Sequence, residues 1–320
     1  MSGGFGSKHV LAAGLPVPVA VIGCGHFGAY HAKHYANNPS AVLVAIVDPD
    51  PNVQQFCKKM GVPWFSHIDD LPDSVHAVSV AIPSRQNAAV ATELLGRGLH
   101  VLLEKPMAHS LADADYLVDV AVRHKRILHI GHLERYNPVV RYLASQTNQD
   151  IKHLEFVRTG SMVSRAAGNN VILDLMIHDI DLAQFFMRDT PQTVELIHSP
   201  THSEFEVAVR LSFRNGATAY LSANRSPSTL SRHVNLTMGE SIYRLDLTAS
   251  SLSRVAIDGC DVPAKTQVFS GDALGYEIDT FLNAVKGLSH EGVTGQHARG
   301  SLKIALKILA LLDHESHTIS

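Results

Sequence analysis

Residues 17–28, VPVAVIGCGHFG, constrain the fold of this 320-residue chain more than any other stretch. The apolar, β-branched run 17–22 has the length and composition of a buried strand. Gly23, Gly25 and Gly28 follow in the spacing G-x-G-x-x-G, and a helical pattern runs from Gly25 to about Asn37. Glycine spacing alone is a weak signal; a strand before it and a helix after it give it meaning. Gly23 permits a tight turn, Gly25 lets a pyrophosphate approach the backbone, and Gly28 lets the helix pack against the strand. Amide groups around His26 and Phe27 would then face phosphate oxygens, helped by the helix dipole.

The second strand, 41–48 (AVLVAIVD), ends on Asp48, 25 residues after Gly23. A carboxylate there accepts hydrogen bonds from the adenosine ribose and repels the 2′-phosphate of NADP. Pro49, Asp50 and Pro51 follow, so no adjacent arginine rescues that phosphate. The expected cofactor is therefore NAD. The bland alternative is a packing loop, with Asp48 capping the next helix.

Further strands are expected at 76–82, 100–103 and 126–130, with helices at 87–95 and 111–124. Strands alternating with helices imply a parallel sheet covered on both faces. After about Gly131 the pattern changes. A strand at 152–159 and a long helix at 171–187 precede two hairpins, 204–213 with 217–224 around Asn215-Gly216, and 233–238 with 241–247 around Gly239-Glu240. Two helices close the chain, the first with the apolar stripe Leu274, Ile278, Phe281, Leu282 and Val285. The fold expected is an N-terminal Rossmann domain of α/β class, with a doubly wound parallel sheet, over residues 1–131. An α+β domain with a large, mainly antiparallel open sheet would fill 132–320. Such a length is also more than one core comfortably serves.

Charge and composition exclude several classes. Charged residues make up 18% and the net charge is −3, with no large basic block, which argues against nucleic acid or an anionic membrane as partner. No run approaches the roughly 20 apolar residues of a membrane span. Cys24, Cys57 and Cys260 are too scattered for a disulfide framework or a zinc cluster, and suit a reducing cytoplasm. Residues 1–15 lack the features of a secretory signal and read as a mobile tail. His31 and His34 lie one helical turn apart, but no nearby carboxylate or cysteine supplements them, so no metal site is expected.

Two features carry candidate chemistry. Glu104-Lys105-Pro106 stands at the carboxyl end of a strand, where ligands of such sheets bind. A lysine there can reach both a nicotinamide ribose and a substrate hydroxyl; the alternative is a solvated lysine in a turn. The second is the helix VILDLMIHDIDLAQFFM, in which Asp174, His178 and Asp181 recur at i, i+4 and i+7 as one polar stripe in an apolar element. A buried polar stripe is costly unless paired or functional. Either His178, with Asp174 beside it, or Lys105 is a candidate base, the other holding the hydroxyl oxygen; structural pairing of Asp174 with His178 is the alternative.

GCGHFG, Glu104-Lys105-Pro106 and Asp174-x-x-x-His178-Asp179-x-Asp181, in this order, resemble the glucose–fructose oxidoreductase/inositol dehydrogenase/MocA family. The likeness covers nearly the whole chain, including Gly275-Tyr276-Glu277 before a late helix. It implies that Lys105 and His178 are catalytic, that Asp174 joins them, and that Glu104 contacts the nicotinamide side. Ile82, Pro83, Asn87 and Arg135 complete the expected cofactor contacts. Residues 131–138, GHLERYNP, with LDLMIHDIDL are similar to bacterial UDP-N-acetylglucosamine 3-dehydrogenases, which feed an aminotransferase in lipid A synthesis. That narrower resemblance implies a 3-keto nucleotide-sugar product, with Glu134, Arg135, Tyr136 and Asn137 at the cofactor–substrate boundary. Alternatively these four residues form only an interdomain turn. A UDP-N-acetylglucosaminuronate 3-dehydrogenase, a polyol or inositol dehydrogenase, and a non-catalytic NAD-binding regulator are the competing readings.

The chain departs from many relatives in having Asn87 where a histidine is common, and Asn169-Asn170 in place of a glycine pair. Arg158 and Arg165 are candidates for the substrate diphosphate, because a planar guanidinium matches phosphate. Resemblance also implies a homodimer or homotetramer, for which the open sheet is a plausible surface.

Overall fold

The computed structural model describes residues 14–146, 151–161, 170–198, 205–226, 230–257 and 265–318. Two compact units divide the chain: Met1–Gly131 with Leu274–Arg299, and His132–Ala273 with Gly300–Ser320.

The first unit alternates β1 (Val17–Ile22), α1 (His26–Ala36), β2 (Ala41–Val47), α2 (Val53–Met60), β3 (Trp64–Phe65), β4 (Ala77–Val80), α3 (Asn87–Gly96), β5 (His100–Glu104), α4 (Leu111–Arg123) and β6 (Leu128–Gly131). The six strands lie in the order β3-β2-β1-β4-β5-β6, and every pairing is parallel. Strand order reverses between β1 and β4, so the loops leaving them diverge and open the crevice in which doubly wound sheets bind ligands. Central strands β1 and β4 are buried along nearly their whole length and, apart from Ser79 of β4, apolar, as strands covered on both faces require.

The second unit holds α5 (Pro138–Gln146), β7 (Ile151–Ser161), a π turn (Ile172–Met176), α6 (Ile177–Met187) and strands β8 (Thr193–His198), β9 (Glu206–Ser212), β10 (Thr218–Ser226), β11 (Ser231–Met238), β12 (Ser241–Asp246), β13 (Ser251–Ala256) and β14 (Gln267–Val268). The strands form one sheet, β14-β13-β12-β11-β7-β10-β9-β8, antiparallel except where β10 runs parallel to β7. Both expected hairpins are present, and Gly216 and Gly239 take the positive φ (83° and 58°) their turns need.

Two helices end the chain, α7 (Ala273–Val285) and α8 (Gly295–Thr318). The sequence reading placed everything after residue 131 in the second domain, yet α7 packs in the first unit. Its stripe residues Ile278, Phe281 and Leu282 share a core with Val17, Val19, Val21, Tyr35, Ile46 and Leu102. An apolar stripe says that a face is buried and leaves open against what. The helix expected at 171–187 also differs, because its first turn is widened into the π turn that carries Asp174. Asn170 Oδ1 accepts the Leu173 amide at 3.0 Å and so caps this turn.

Candidate active site

The glycine loop has the form of a cradle. Gly23 has φ +84°, and a Cβ there would stand 2.5 Å from the Ala81 carbonyl oxygen and 2.7 Å from Ile82 Cγ2. A Cβ on Gly28 would lie 1.9 Å from the Gly23 oxygen, whereas one on Gly25 would meet nothing within 4 Å. Two glycines thus serve close packing, and the third leaves open space in front of the backbone. Gly25, His26 and Phe27 are exposed at the start of α1, where the first-turn amides have no intrahelical partner. Asp48 is pinned beside the loop: its Oδ2 accepts the Cys24 amide at 2.6 Å and its Oδ1 the Asp50 amide at 2.8 Å. A carboxylate has about four acceptor positions, so capacity remains for ribose hydroxyls. These residues fit a dinucleotide: Gly25 would face its pyrophosphate and Asp48 would hold its ribose.

Lys105 is half-buried and follows β5; the Lys105–Pro106 peptide is cis. Asn87, expected among the cofactor contacts, has another task. It is fully buried, and its amide donates to the carbonyls of Glu104 (2.8 Å) and Pro106 (2.9 Å), on either side of Lys105. Both amide hydrogens are consumed there, so Asn87 positions the lysine turn instead. Asn87→Ala is expected to lower kcat by about tenfold to a hundredfold, the scale of a sub-ångström to one-ångström misplacement. Steady-state kinetics against NAD affinity will check this, because binding should hardly change.

Glu104 ends a buried chain of polar groups. Tyr35 Oη lies 2.8 Å from Ser79 Oγ, Ser79 Oγ 3.0 Å from His31 Nδ1, and His31 Nε2 3.1 Å from Glu104 Oε1. His31 is therefore a satisfied core histidine. The nearby Glu277 carboxyl is 1% exposed and has no hydrogen-bond partner among the described residues. Burial, then the charge of Glu104, pushes its pKa well above the ordinary carboxylate value. A carboxyl with a raised native pKa binds a proton in the fold that the unfolded chain has released, so stability falls as pH rises above about 4.5. Glu277→Gln is expected to remove that loss. Its advantage over wild type should grow by at most about 1.4 kcal/mol per pH unit, read from urea midpoints between pH 5 and pH 8.

In the second unit the polar stripe of the helix is present and its carboxylates are matched by arginines. Asp174 and His178 are half-buried and Asp181 is 1% exposed. Asp174 Oδ2 accepts from Arg225 Nη2 at 2.6 Å, with Arg225 arriving from β10 and donating also to the Ser161 carbonyl at 3.3 Å. Asp181 is gripped by Arg135, Nε to Oδ2 at 2.6 Å and Nη2 to Oδ1 at 2.7 Å. Arg135, expected at the cofactor, is engaged in this bidentate pair and lies over the Phe185 ring at 5.0 Å.

Three other expectations are corrected. Arg158 does not offer itself to a diphosphate. It is 3% exposed, donates to both oxygens of Asp179 at 2.7–3.0 Å, and gives Nη1 to Glu134 at 2.9 Å. Burial opposes the charge, but Asp179 and Glu134 hold Arg158 protonated above its ordinary value. Glu134, placed by the sequence at the boundary, is a member of this network and also meets Arg232 at 3.2 Å. Asn137 is likewise structural: its amide donates to the Leu247 carbonyl at 2.8 Å, and its oxygen accepts from Val139 N and Ser250 Oγ. Tyr136 is 7% exposed. Arg165 and Cys260 lie outside the described residues.

Sequence reasoning gave no role to Arg225 or to Glu277, although Glu277 stands in the quoted Gly275-Tyr276-Glu277 motif. An arginine in the otherwise uncharged strand TAYLSANRS was the available signal for the first. Lys105 stands in the first unit and His178 in the second.

Comparison with known proteins bears on these arrangements. Residues 17–132 match the model of the GFO/IDH/MocA oxidoreductase family, NAD-binding Rossmann fold, and residues 140–235 match that family's C-terminal domain. The chain is 28% identical over 306 residues to the UDP-N-acetylglucosamine 3-dehydrogenase of Acidithiobacillus ferrooxidans, covering 91% of this chain and 97% of that one. A solved structure of that enzyme superposes with a TM-score of 0.84 over 92% of this chain and 97% of that one. The rhizopine catabolism protein MocA of Rhizobium meliloti is 22% identical over 93% of this chain and 95% of its own. A levoglucosan dehydrogenase solved with NADH and levoglucosan, 18% identical, shares the fold at a TM-score of 0.80 over 94% of this chain and 98% of that one. No helix among the described residues is long and apolar enough to cross a membrane. With a glycine cradle and ribose carboxylate that fit NAD and two family models that together span about two thirds of its length, the chain belongs to the GFO/IDH/MocA oxidoreductase family, as an NAD-dependent dehydrogenase acting on a CH–OH group.

Proposed function

We propose that this enzyme oxidises the C3 hydroxyl of UDP-N-acetylglucosamine to the 3-keto nucleotide sugar. The observation that carries the reading is the end-to-end likeness to the Acidithiobacillus enzyme of that name, at 28% identity. When bound, NAD supplies the hydride-accepting ring. His178 removes the hydroxyl proton and Lys105 holds the oxygen, since an imidazole's ordinary pKa lies nearer the working pH than an amine's. Asp174, fixed by Arg225, keeps the polar end of the helix in register with the sugar. Ile82, Pro83 and Glu104 line the cofactor side, and Tyr136 the sugar side. The product feeds a 3-aminotransferase of lipid A synthesis, in the cytoplasm, and the enzyme works as a homodimer or homotetramer.

The test is NADH formation from a panel of UDP-N-acetylglucosamine, UDP-N-acetylglucosaminuronate and myo-inositol, with purified full-length chain and NAD. Turnover of the first is expected to exceed the others in kcat/KM. Preference for either of the others, or NAD binding without turnover of any, would overturn the substrate assignment.

A further inference from the structure

We propose that His31, Glu104 and Glu277 form a binding site for one divalent transition cation, of the class of Zn²⁺, inside the first unit.

The three side chains come from α1, β5 and α7, all within that unit. One ligand atom from each lies within 4.8 Å of the other two. His31 and Glu277 are each 1% exposed and the Glu104 side chain 18%, so the cluster is buried and reached along Glu104. Sequence spacing offered His31 only His34 as a neighbour; the fold brings it two carboxylates from positions 104 and 277 instead.

The oxygens of Glu277 are the observation that asks for a ligand. Both are shielded from solvent, and neither has a hydrogen-bond partner among the described residues. A buried carboxyl is costly unless it is protonated or meets a positive charge. Its neighbour Glu104 is a second carboxyl, and burial followed by that charge holds the Glu277 pKa above the ordinary value. Two carboxylates and a neutral imidazole carry two negative charges, which one divalent cation cancels. Without the cation, Glu277 keeps the proton described above; the cation takes its place.

The hydrogen bonds that satisfy His31 also prepare it as a ligand. With its proton on Nδ1, the ring donates to Ser79 Oγ at 3.0 Å, and Ser79 donates to Tyr35 Oη at 2.8 Å. Nε2 then turns its lone pair toward Glu104 Oε1. A bond donated from the far ring nitrogen is what orients a metal-binding histidine. Nε2 and Oε1 are 3.1 Å apart. Neighbouring ligands of a tetrahedral ion with bonds of about 2.0–2.1 Å stand roughly 3.3 Å apart. Gly131 of β6 backs the carboxyl of Glu104, since a Cβ there would lie 3.0 Å from its Cδ and both its oxygens. An imidazole in the donor set favours Zn²⁺ and its transition-metal neighbours over Mg²⁺, which takes oxygen ligands and keeps its water.

The test is calorimetric titration of the full chain, stripped with a chelator and dialysed free of it, with ZnCl₂ and in parallel with MgCl₂. Wild type is expected to take up one Zn²⁺ per chain at least about a hundredfold more tightly than its exposed histidines do, and to show no comparable Mg²⁺ site. Glu277→Gln and His31→Gln are expected to lose the tight site and keep the weak binding. Saturating Zn²⁺ should raise the urea midpoint of wild type and leave that of Glu277→Gln unchanged. A tight site that survives in folded Glu277→Gln lies elsewhere and overturns the proposal. So does a wild type with weak sites alone, in which case a proton on Glu277 accounts for the cluster, and so does a preference for Mg²⁺. Should His31→Gln not fold, Glu277→Gln, which loses only a charge, decides the matter. Neither NAD nor a sugar takes part, so the outcome is independent of the substrate assignment.

Discussion

His178→Ala and Lys105→Met are each expected to reduce kcat by about 10²- to 10⁴-fold, the range supplied by a positioned acid or base, while the NAD dissociation constant hardly changes. The separation follows from where each task is done. NAD binding draws on the loop of Gly23, Gly25 and Gly28 and on Asp48, whose contacts run to the amides of Cys24 and Asp50. Lys105 is not needed to shape that loop, and His178 belongs to the other unit. Neither side chain fills the core: both are half-buried. Fluorescence titration with NADH and steady-state rates on the same preparations give the two numbers. Full turnover in both variants would refute the roles assigned to them, and loss of NADH binding in His178→Ala would mean that the residue supports the cofactor site.

The largest effect on stability is expected at Asp179, which contacts no proposed reactant. Asp179→Ala leaves the fully buried Arg158 guanidinium with Glu134 as its one ionic partner among the described residues. Removing one member of a buried ion pair costs about 3–5 kcal/mol, because the survivor is a desolvated charge. That is about a fifth or more of the stability of an ordinary domain. The loss should appear as a lower urea midpoint with an unchanged slope. Asp179→Asn, which keeps acceptor and shape, should lose less. A midpoint shift below about 1 kcal/mol in Asp179→Ala would show that water reaches Arg158 in the variant.

The same helix shows why some of the site could be read from the chain and some could not. Asp174, His178 and Asp181 were visible as a stripe because helical periodicity is a local property. Asp179 lies one residue from His178 and has a different task, which depends on Arg158 at a distance of 21 residues. Both arginine and aspartate were in view, but nothing local pairs them. Arg158 looked free for phosphate for the same reason. Asn87 looked like a cofactor contact until its two carbonyl partners 17 and 19 residues away were known.

The order of elements, the parallel sheet, the glycine cradle and both hairpin turns were determined by sequence alone. Each depends on a dihedral preference or a repeat that a handful of consecutive residues carries. Tertiary structure alone decided that α7 joins the first unit, that Asp174 and Asp181 of the stripe each meet an arginine, and that Glu277 sits buried with no hydrogen-bond partner among the described residues. Those are choices among partners far apart in the chain, and burial free energy, being nondirectional, rewards many pairings until packing and polar satisfaction select one.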